Sequence, residues 1–408
     1  MENVSSSNGL EKCPKLRFPG FTEPWARVKL SSFAERVTRK NRNNETNLPL
    51  TISSKEGLVD QISFFNKTVA SKDMSGYYLL KNGEYAYNKS YSVGYDFGSI
   101  KRLERYPMGA LSTLYICFTL KKYNSDYIKT YFDSLKWYKE IYMISAEGAR
   151  NHGLLNVPTD DFFDTYHYIT EDTDEQFKIA KVIELLEQKI QKQQELVECL
   201  KKYKRGLLDK LLEDNSTDAN WRIVMLQDVA TGFDYGMNSA ATIFDGVHKY
   251  IRITDIDDDS RQYLSDDIVS PSDTPEEKYK VNINDILFAR TGASVGKSYL
   301  YTPEDGELYF AGFLIRVSVK SEFDNYFVYL NTLTSKYEKW LRLESMRSGQ
   351  PGVNAEQYRN YAFRCPDYET QVKIANIIKC IDLKIAKERK SLAKLYSLKN
   401  GLLQQLFI

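Results

Sequence analysis

Two stretches of the chain are related in sequence and decide its predicted architecture. Residues 176–211 read QFKIAKVIELLEQKIQKQQELVECLKKYKRGLLDKL, and residues 371–406 read QVKIANIIKCIDLKIAKERKSLAKLYSLKNGLLQQL. The two align without a gap at a spacing of 195 positions, so that Gly206 returns as Gly401. Solenoid repeats are much shorter, at roughly 20 to 50 residues. The chain is therefore predicted to contain a duplicated domain.

Apolar residues in both stretches recur at alternating steps of four and three, which is the spacing of a coiled-coil seam. The seam is interrupted at the same two places, by Gln193 and Lys204 in the first copy and by Glu388 and Lys399 in the second. We predict two helices of about 40 residues and about 60 Å each, which pair antiparallel within one molecule. Pairing between two molecules is the alternative. The spacing of Thr173 and Gln176 predicts a capping box at the start of the first helix.

Outside these helices, short runs rich in Tyr, Phe, Ile and Val predict strands, as in YYLLKNGEYAYN from Tyr77 and YKVNINDILFAR from Tyr279. We therefore predict an α+β fold with two mainly β domains, separated by two long antiparallel coiled-coil helices and related by an internal pseudo-twofold duplication. The predicted order is β domain, helix, β domain and helix, over residues 1–170, 171–214, 215–368 and 369–408.

The composition is that of a globular protein, since 42% of the 408 residues are apolar and 27% are charged. The sequence has neither a signal peptide nor an apolar run of about 18 residues that could span a bilayer, so a cytoplasmic location is expected. Five scattered cysteines predict reduced thiols and no metal site. The net charge is only +1, because the second β domain is acidic. Its crowded carboxylates are Asp255, Asp257, Asp258, Asp259, Asp266 and Asp267.

The segment GASVGKS, from Gly292 to Ser298, is similar to a phosphate-binding loop. It has one residue fewer between its glycines than that loop, and the strand-like SYLYT follows it where a helix would be needed. We therefore predict a connection between strands and no nucleotide site. The three histidines are far apart, and no methyltransferase motif or pair of carboxylates indicates a catalytic centre. No catalytic residue is expected.

Four stretches resemble the specificity subunits of type I restriction-modification systems. They are PKLRFPGFTEPWARVKL from Pro14, FARTGASVGKSYLY from Phe288, RSGQPGVN from Arg347 and QVKIANIIKCIDLKIAKERKSLAKLYSLKNGLLQQLF from Gln371. The order of domain and helix also resembles that of the family, and the resemblance covers nearly the whole chain.

The resemblance implies a subunit without catalysis of its own, in a complex that methylates adenine and cuts DNA. Each β domain would be a target-recognition domain that reads one half of a split target in double-stranded DNA. The helices would space these domains and dock two methyltransferase subunits. The resemblance also implies that S-adenosylmethionine, ATP and Mg²⁺ are bound by the methyltransferase and restriction or translocase subunits, so that the chain itself holds no cofactor.

Candidate DNA contacts are predicted in loops that carry Arg, Lys, Ser, Thr, Asn or Gln, because these side chains reach base edges and phosphates. They are Lys89, Ser90, Tyr91, Arg150, Asn151, His152, Asn156, Arg290, Thr291, Ser294, Lys297, Arg347, Ser348, Gln350 and Asn354. RNHGLLNV, from Arg150, is interpreted as the counterpart of RSGQPGVN, from Arg347. For every loop the alternative is a turn whose polar residues bind only its own backbone or water.

A second hypothesis is a coiled-coil scaffold whose β domains bind proteins, which the acidic second domain favours. A third, an enzyme in its own right, would require an activity of the isolated chain, and the sequence offers no site for it. Salt-sensitive retention on duplex DNA together with a methyltransferase partner would separate the first hypothesis from the scaffold.

Overall fold

The computed structural model of the chain describes residues 2–3, 13–145, 155–213, 221–345 and 352–408. The chain divides into two compact units. Unit 1 consists of Met1–Gln193 and Ser391–Ile408, and unit 2 of Gln194–Lys390. Each unit therefore contains one β domain and part of each long helix.

Unit 1 contains twelve described strands and five short helices, and the first long helix begins in it. The strands are β1 Glu2–Asn3, β2 Leu16–Arg17, β3 Ala26–Lys29, β4 Ala34–Arg36, β5 Pro49–Ser53, β6 Gly57–Asp60, β7 Tyr78–Lys81, β8 Tyr85–Asn88, β9 Ser99–Arg102, β10 Met108–Leu111, β11 Ile116–Leu120 and β12 Tyr166–Ile169. The helices are α1 Leu30–Phe33, α2 Gln61–Phe65, α3 Ser125–Asp133, α4 Tyr138–Ile144, α5 Thr159–Asp164 and the long α6 Thr173–Leu212.

Unit 2 contains the remaining strands and helices of the described chain, up to the long helix that ends in unit 1. The strands are β13 Arg222–Met225, β14 Ala230–Tyr235, β15 Ala241–Ile243, β16 Lys249–Ile251, β17 Val269–Pro271, β18 Asp285–Ala289, β19 Ser298–Leu300, β20 Leu308–Phe310, β21 Leu314–Val319 and β22 Ala362–Cys365. The helices are α7 Leu226–Val229, α8 Asn325–Leu330, α9 Ser335–Ser345, α10 Ala355–Arg359 and the long α11 Tyr368–Leu406.

Both units contain an antiparallel four-stranded sheet with the same topology, ordered β4-β11-β8-β9 in unit 1 and β14-β21-β18-β19 in unit 2. Each unit also pairs the strand that enters its β domain with the strand that leaves it, β3 with β12 and β13 with β22. We call these six strands of each unit the shared frame. The duplication predicted from the helices therefore extends through the β domains.

The central strand β18 is buried on both faces, which explains the continuous apolar run ILFA over residues 286–289. Ile286 and Phe288 belong to one hydrophobic cluster, and Leu287 and Ala289 belong to another. This alternation follows from the two-residue period of a strand. In unit 1 the strand β8 is likewise buried along most of its length, so the equivalent strand organises both domains.

The two units differ in the segments inserted into the shared frame. In unit 1 the insertions form a four-stranded sheet of order β6-β5-β10-β7, whereas in unit 2 they form two separate pairs, β15-β17 and β16-β20. The insertions occur in the same two intervals of both units, before the central strand and before the strand β11 or β21. Divergent insertions explain why the two β domains have less similar sequences than the helices.

The capping box predicted at Thr173 and Gln176 is wrong. The carboxylate of Asp172 caps α6, since its Oδ1 accepts the backbone N–H groups of Asp174 and Glu175, both at 2.9 Å. Asp adjacent to a helix start satisfies amide donors that the first turn leaves free. At α11 the equivalent contact is made by Asp367, whose Oδ1 accepts the N–H of Thr370 at 3.0 Å.

Gln176 instead joins α6 to the β domain of unit 1. Its Nε2 donates to the carbonyl of Thr170 at 2.8 Å, and its Oε1 accepts the N–H of Asn124, the N-cap residue of α3, at 2.8 Å. Gln371 makes the same two kinds of contact in unit 2, because its Oε1 accepts the N–H of Asp324, the N-cap residue of α8, at 3.0 Å. Both amides are buried, so each long helix is attached to its domain by the same residue of the repeat.

The long helices run antiparallel in each unit. In unit 1 residues near the start of α6 share a hydrophobic cluster with residues at the end of α11, and in unit 2 the end of α6 shares one with the start of α11. These residues are Ile179, Ile183, Leu403 and Leu406 in unit 1, and Leu208, Leu212, Ile374 and Ile378 in unit 2. The predicted pairing of the helices within one molecule is therefore confirmed. No helix in the described ranges is long and apolar enough to cross a membrane.

The two lysines that interrupt the seam have acidic partners on the opposite helix. Lys204 Nζ lies 2.6 Å from Asp382 Oδ1 in unit 2, and Lys399 forms an ion pair with Glu187 in unit 1. The acids occupy equivalent positions of the repeat, as the lysines do. The pairs are thus reciprocal, since the acid of one copy binds the lysine of the other.

A buried ion pair attaches the N-terminal segment to α6. The guanidinium of Arg17 contacts both carboxylate oxygens of Glu175, with Nε–Oε1 at 2.7 Å and Nη2–Oε2 at 2.9 Å. Trp25 Nε1 and Thr170 Oγ1 also donate to Oε2, at 3.2 and 2.6 Å. Four donors therefore satisfy a carboxylate that is fully buried. At the equivalent position unit 2 has Thr370.

Candidate nucleic-acid interface

Lys89 and Arg290 occupy equivalent positions in the two units. Each residue comes directly after the central strand of the shared frame, β8 or β18. The carbonyl of Lys89 accepts the N–H of Leu155 at 3.0 Å, and the carbonyl of Arg290 accepts the N–H of Val353 at 2.9 Å. The residue that follows the donor is an asparagine in both units, Asn156 or Asn354. The structure therefore brings predicted DNA contacts together in pairs, Lys89 with Asn156 and Arg290 with Asn354.

The loops that follow Lys89 and Arg290 contain the same turn. In Ser92–Tyr95 and in Ser294–Lys297, the carbonyl of the first residue accepts the N–H of the fourth, at 2.8 and 3.0 Å. The third residue is Gly94 or Gly296, with φ of 80° and 79°, a conformation that favours glycine. A Cβ at Gly296 would also lie 2.0 Å from Leu341 Cδ2.

Sequence reasoning missed this equivalence, although a signal for it exists. KSYSVG from Lys89 aligns with RTGASVG from Arg290 once a single-residue gap is allowed. The two helices align at a constant spacing of 195 positions. That spacing does not indicate where a gap must be placed within the β domains. The equivalence of Leu155 with Val353 also differs from the sequence interpretation, which matched Val157 with Val353.

Arg290 is half-buried and held between two exposed aromatic residues. Its Nε donates to the carbonyl of Gly312 at 3.0 Å, and its Cζ lies 5.0 Å from the ring centroid of Tyr235 and 6.0 Å from that of Phe313. The exposed fractions of Tyr235 and Phe313 are 45% and 57%. Among the described residues, no carboxylate forms an ion pair with Arg290. Its terminal nitrogens are therefore available to a ligand.

Lys89 is the corresponding cation of unit 1. It is half-buried, and burial lowers the pKa of its ammonium group because a charged form is disfavoured away from water. In the part of the chain that the structure describes, no carboxylate pairs with it. The next residues are Ser90, whose N–H donates to Asn88 Oδ1 at 3.0 Å, and the exposed Tyr91. An uncompensated cation beside an exposed loop is a suitable contact for a polyanion.

Two of the other predicted contacts already serve the structure of unit 2. Lys297 is buried, and its Nζ donates to the carbonyl of Ile256 at 3.0 Å and pairs with Asp258 at 2.6 Å. This hydrogen bond and charge lower the pKa of Asp258. Asn354 Oδ1 accepts the N–H of Gln357 at 2.9 Å and caps α10, as the alternative of a self-capping turn foresaw. A DNA contact by Lys297 would require it to leave Asp258.

The remaining candidates are distributed as follows. Thr291 pairs through its backbone with Gly352, beside Arg290, and Ser294 begins the turn described above. Six candidates lie outside the described residues, and their contacts stay predictions. These are Arg150, Asn151, His152, Arg347, Ser348 and Gln350.

Most of the crowded carboxylates of the second β domain are bound within unit 2. Asp259 pairs with Lys201 of α6 at 2.6 Å and with Arg389 of α11. Arg252 lies 2.8 Å from Asp255 and 3.5 Å from Asp267. Asp257 Oδ1 accepts the N–H of Ser260 at 2.6 Å within its own loop. Asp259 thus attaches this loop to the long helices, while the other carboxylates bind partners outside them, so the acidic sequence is not a measure of the charge available to a ligand.

The segment GASVGKS is a connection between strands, as predicted. The strand β19 begins at Ser298, within one residue of Lys297, and pairs antiparallel with β18. No helix N-terminus therefore follows the loop, and a helix N-terminus is what a phosphate-binding loop uses to hold an anion.

Comparison with known proteins connects this architecture to DNA specificity. Residues 219–396 match the family model of the type I restriction modification DNA specificity domain. The crystal structure of a type I restriction-modification system S subunit from M. genitalium is similar, at 15% identity and a TM-score of 0.53, over 97% of this chain and 99% of that one. A structure reported for complex assembly and conformational transition of the type I R-M system has 15% identity and a TM-score of 0.59 over the same shares. No curated protein matches the chain.

The chain thus belongs to a class of proteins that have two β domains in one polypeptide and the fold of a type I S subunit. The residues that match the DNA specificity domain of these systems lie mostly in unit 2. The resemblance seen in the sequence is confirmed for residues 219–396, which match the family model, and the chain has the fold of solved type I S subunits. The predicted fold class is confirmed as well.

Proposed function

We propose that this chain selects the DNA sequence on which a type I complex acts, with each β domain reading one half of a split target. The observation that carries the proposal is the pair of equivalent loops. Each places a half-buried cation, Lys89 or Arg290, after the central strand of the shared frame, beside an Asn and a glycine-containing turn. Two equivalent surfaces with different side chains suit two different half-targets on one duplex.

We propose further that the long helices dock two methyltransferase subunits. Exposed side chains recur at equivalent positions of the repeat. These positions lie outside the seam, so the side chains do not contribute to the pairing of the two helices. Tyr203 and Leu398 are equivalent and are 60% and 52% exposed, and Leu185 is exposed at the position equivalent to exposed Cys380. Each unit thus presents one residue from each helix. Exposed apolar positions that repeat with the duplication suit two copies of one partner.

Under this proposal the chemistry belongs to other subunits. The residues gathered at the candidate interface are cations, amides and hydroxyls, which bind phosphates and base edges. Adenine methylation would use S-adenosylmethionine held by the methyltransferase subunits, and cleavage would use ATP and Mg²⁺ in the restriction and translocase subunits. The chain itself would act as a non-catalytic, DNA-binding subunit.

The test is to produce the chain together with its methyltransferase partner and to map N6-methyladenine in the host DNA. Methylation at one split motif is expected, and exchange of Glu23 to Thr165 for the matching domain of a relative is expected to change one half of that motif. A change in both halves would contradict the assignment of one half-target to each domain. Failure to form any complex with the methyltransferase would favour the protein-binding scaffold.

A further inference from the structure

We infer that Arg290 reads a guanine in the half-target of unit 2, and that Tyr235 and Phe313 are the residues that position it. This inference rests on the proposed function and adds to it the base that one unit recognises and two residues that sequence reasoning did not identify. The ligand is the major-groove edge of a guanine, whose O6 and N7 both accept hydrogen bonds.

The guanidinium of Arg290 is oriented before any ligand binds. Its Nε donates to the carbonyl of Gly312 at 3.0 Å, which fixes one edge of the planar group, and no side chain of the described residues binds the two terminal nitrogens. The rings of Tyr235 and Phe313, at 5.0 and 6.0 Å from Cζ, favour a cation between them. The fork of the two terminal nitrogens matches a pair of acceptors, and less side-chain entropy is lost when it is already held.

The two aromatic residues are themselves fixed by the shared frame. Tyr235 ends β14, where it pairs with Ile315 of β21, and its hydroxyl accepts the N–H of Ala355 at 3.2 Å. Phe313 precedes β21, and its carbonyl accepts the N–H of Arg290 at 3.0 Å. The next residue after Tyr235 is Gly236, where a Cβ would lie 2.2 Å from the carbonyl oxygen of Ala311. Only glycine permits the backbone at residue 236 to lie this close to Ala311. This close contact holds Tyr235 and Phe313 near one another.

A guanidinium with a fixed orientation is better adapted to recognise a base edge than to bind a phosphate. Phosphates recur along both strands and can be bound by mobile cations, whereas base readout requires a donor pair in a fixed place. Lys89 illustrates the difference, because it occupies the equivalent position of unit 1 but has no aromatic ring stacked on it among the described residues. A lysine is a flexible point charge. The two half-targets are therefore expected to be read by different contacts at this position.

The experiment uses the complex of the whole chain with its methyltransferase partner and duplexes that carry its mapped motif. Each guanine in the half-target of unit 2 is replaced, one at a time, by 7-deazaguanine, which lacks the N7 acceptor. At one position we expect the wild-type complex to bind about 10-fold or more weakly, within the range that a bidentate contact supplies. Arg290→Ala should bind the normal duplex weakly and be insensitive to 7-deazaguanine at that position.

Two further variants separate positioning from charge. Phe313→Leu retains the arginine but removes a ring, and it should reduce the discrimination against 7-deazaguanine while binding to non-specific DNA is unchanged. Arg359→Ala is the matched control, since Arg359 also stacks on a ring, that of Phe233, but has Glu356 as a carboxylate partner. It should leave the discrimination unchanged.

Three results would overturn the inference. One is a half-target of unit 2 without guanine, and another is equal binding of the wild-type complex to normal and 7-deazaguanine duplexes at every position. The third is an Arg290→Ala substitution that weakens binding to specific and non-specific duplexes by the same factor, which would indicate a phosphate contact. All three leave the proposed function intact. A wild-type complex that methylates no motif would instead overturn the proposed function, and the inference with it.

Discussion

His167 lies inside unit 1 between two hydroxyl groups. Its Nδ1 is 2.9 Å from the hydroxyl of Tyr131, and its Nε2 is 2.9 Å from Oγ1 of Thr165. Burial lowers the pKa of His167 from 6.5 to about 3, because the charged imidazolium is disfavoured away from water. The ring is therefore neutral in the folded protein at pH values where it is charged in the unfolded chain.

Stability should fall as the pH decreases below about 6.5, because the unfolded state then binds a proton that the folded state does not. This one group contributes a slope of up to about 1.4 kcal/mol per pH unit, in the window between the two pKa values. His167→Gln removes the group, so its free energy of unfolding should depend less on pH between 7 and 5.5. Chemical denaturation at both pH values measures the difference.

The control for this prediction is His248→Gln, in unit 2, because His248 is partly exposed. Its effect on stability should be smaller than that of His167→Gln, because His248 pairs with Asp245 at the surface, where water screens the pair. Equal pH dependence of the wild-type chain and His167→Gln would show that the buried imidazole is not the cause.

For individual residues of the candidate interface, the residue types could be predicted from the sequence, but the orientations of their side chains could not. Arg290 and Lys297 lie in one loop and look interchangeable in the sequence, yet one faces the aromatic residues and the other is paired with Asp258. Tyr235 and Phe313 come from strands far apart in the sequence, and only the pairing of β14 with β21 brings them to Arg290. A local pattern contains no information on such pairing.

Among the secondary-structure elements, the reciprocal pairs Lys204–Asp382 and Lys399–Glu187 hold the long helices in register. Each acid also contacts a residue of the β domain in its own unit. Glu187 lies 3.3 Å from Lys129 of α3, and Asp382 accepts a hydrogen bond from the hydroxyl of Tyr326 on α8. A shift of one helix along the other would break both contacts at once.

A charge exchange tests this registration in unit 2. Lys204→Asp and Asp382→Lys should each lower the melting temperature, because each leaves two like charges facing one another. The double variant should regain part of the loss, with a coupling free energy of about 1 kcal/mol for a partly exposed pair. Thermal unfolding of the four proteins measures the cycle. Additive losses would show that the pair contributes nothing to the register.

The long helices could be predicted because their seam has a strong period over many turns. The cap was missed by one residue, since Asp172 and Thr173 are both suitable cap residues by type and only the backbone geometry distinguishes them. The topology of the insertions could not be predicted, because the alternation of apolar and polar residues along a strand does not indicate which other strand pairs with it. In unit 1, β10 pairs with both β5 and β7, which are distant in sequence.

For the whole molecule, the repeat predicts how many partners the chain holds. If the helices dock two methyltransferase subunits, Leu398→Glu and Tyr203→Glu should each reduce the number bound from two to one, because each places a charge on one of two equivalent exposed positions. Native mass spectrometry of the complexes measures the stoichiometry. Loss of both subunits from either single variant would contradict independent docking at the two units.

The matched control is Ala393→Glu on α11. Ala393 is exposed, and the equivalent residue of α6 is already a glutamate, Glu198. The variant adds the same charge to the same helix as Leu398→Glu, but in a position where the repeat tolerates it. It should bind two methyltransferase subunits.

The shared frame determines which parts of this protein can be exchanged. The insertions enter and leave it at the same two intervals in both units, after β4 and β9 and after β14 and β19. Gln176 and Gln371 attach the long helices to the caps of α3 and α8, which lie outside the insertions, whereas Asp259, in the first insertion of unit 2, pairs with Lys201 and Arg389 of these helices. The candidate loops at Lys89 and Arg290 lie between β8 and β9 and between β18 and β19, inside the shared frame, so an exchange of insertions alone would graft new surface onto the chain and leave these loops in place.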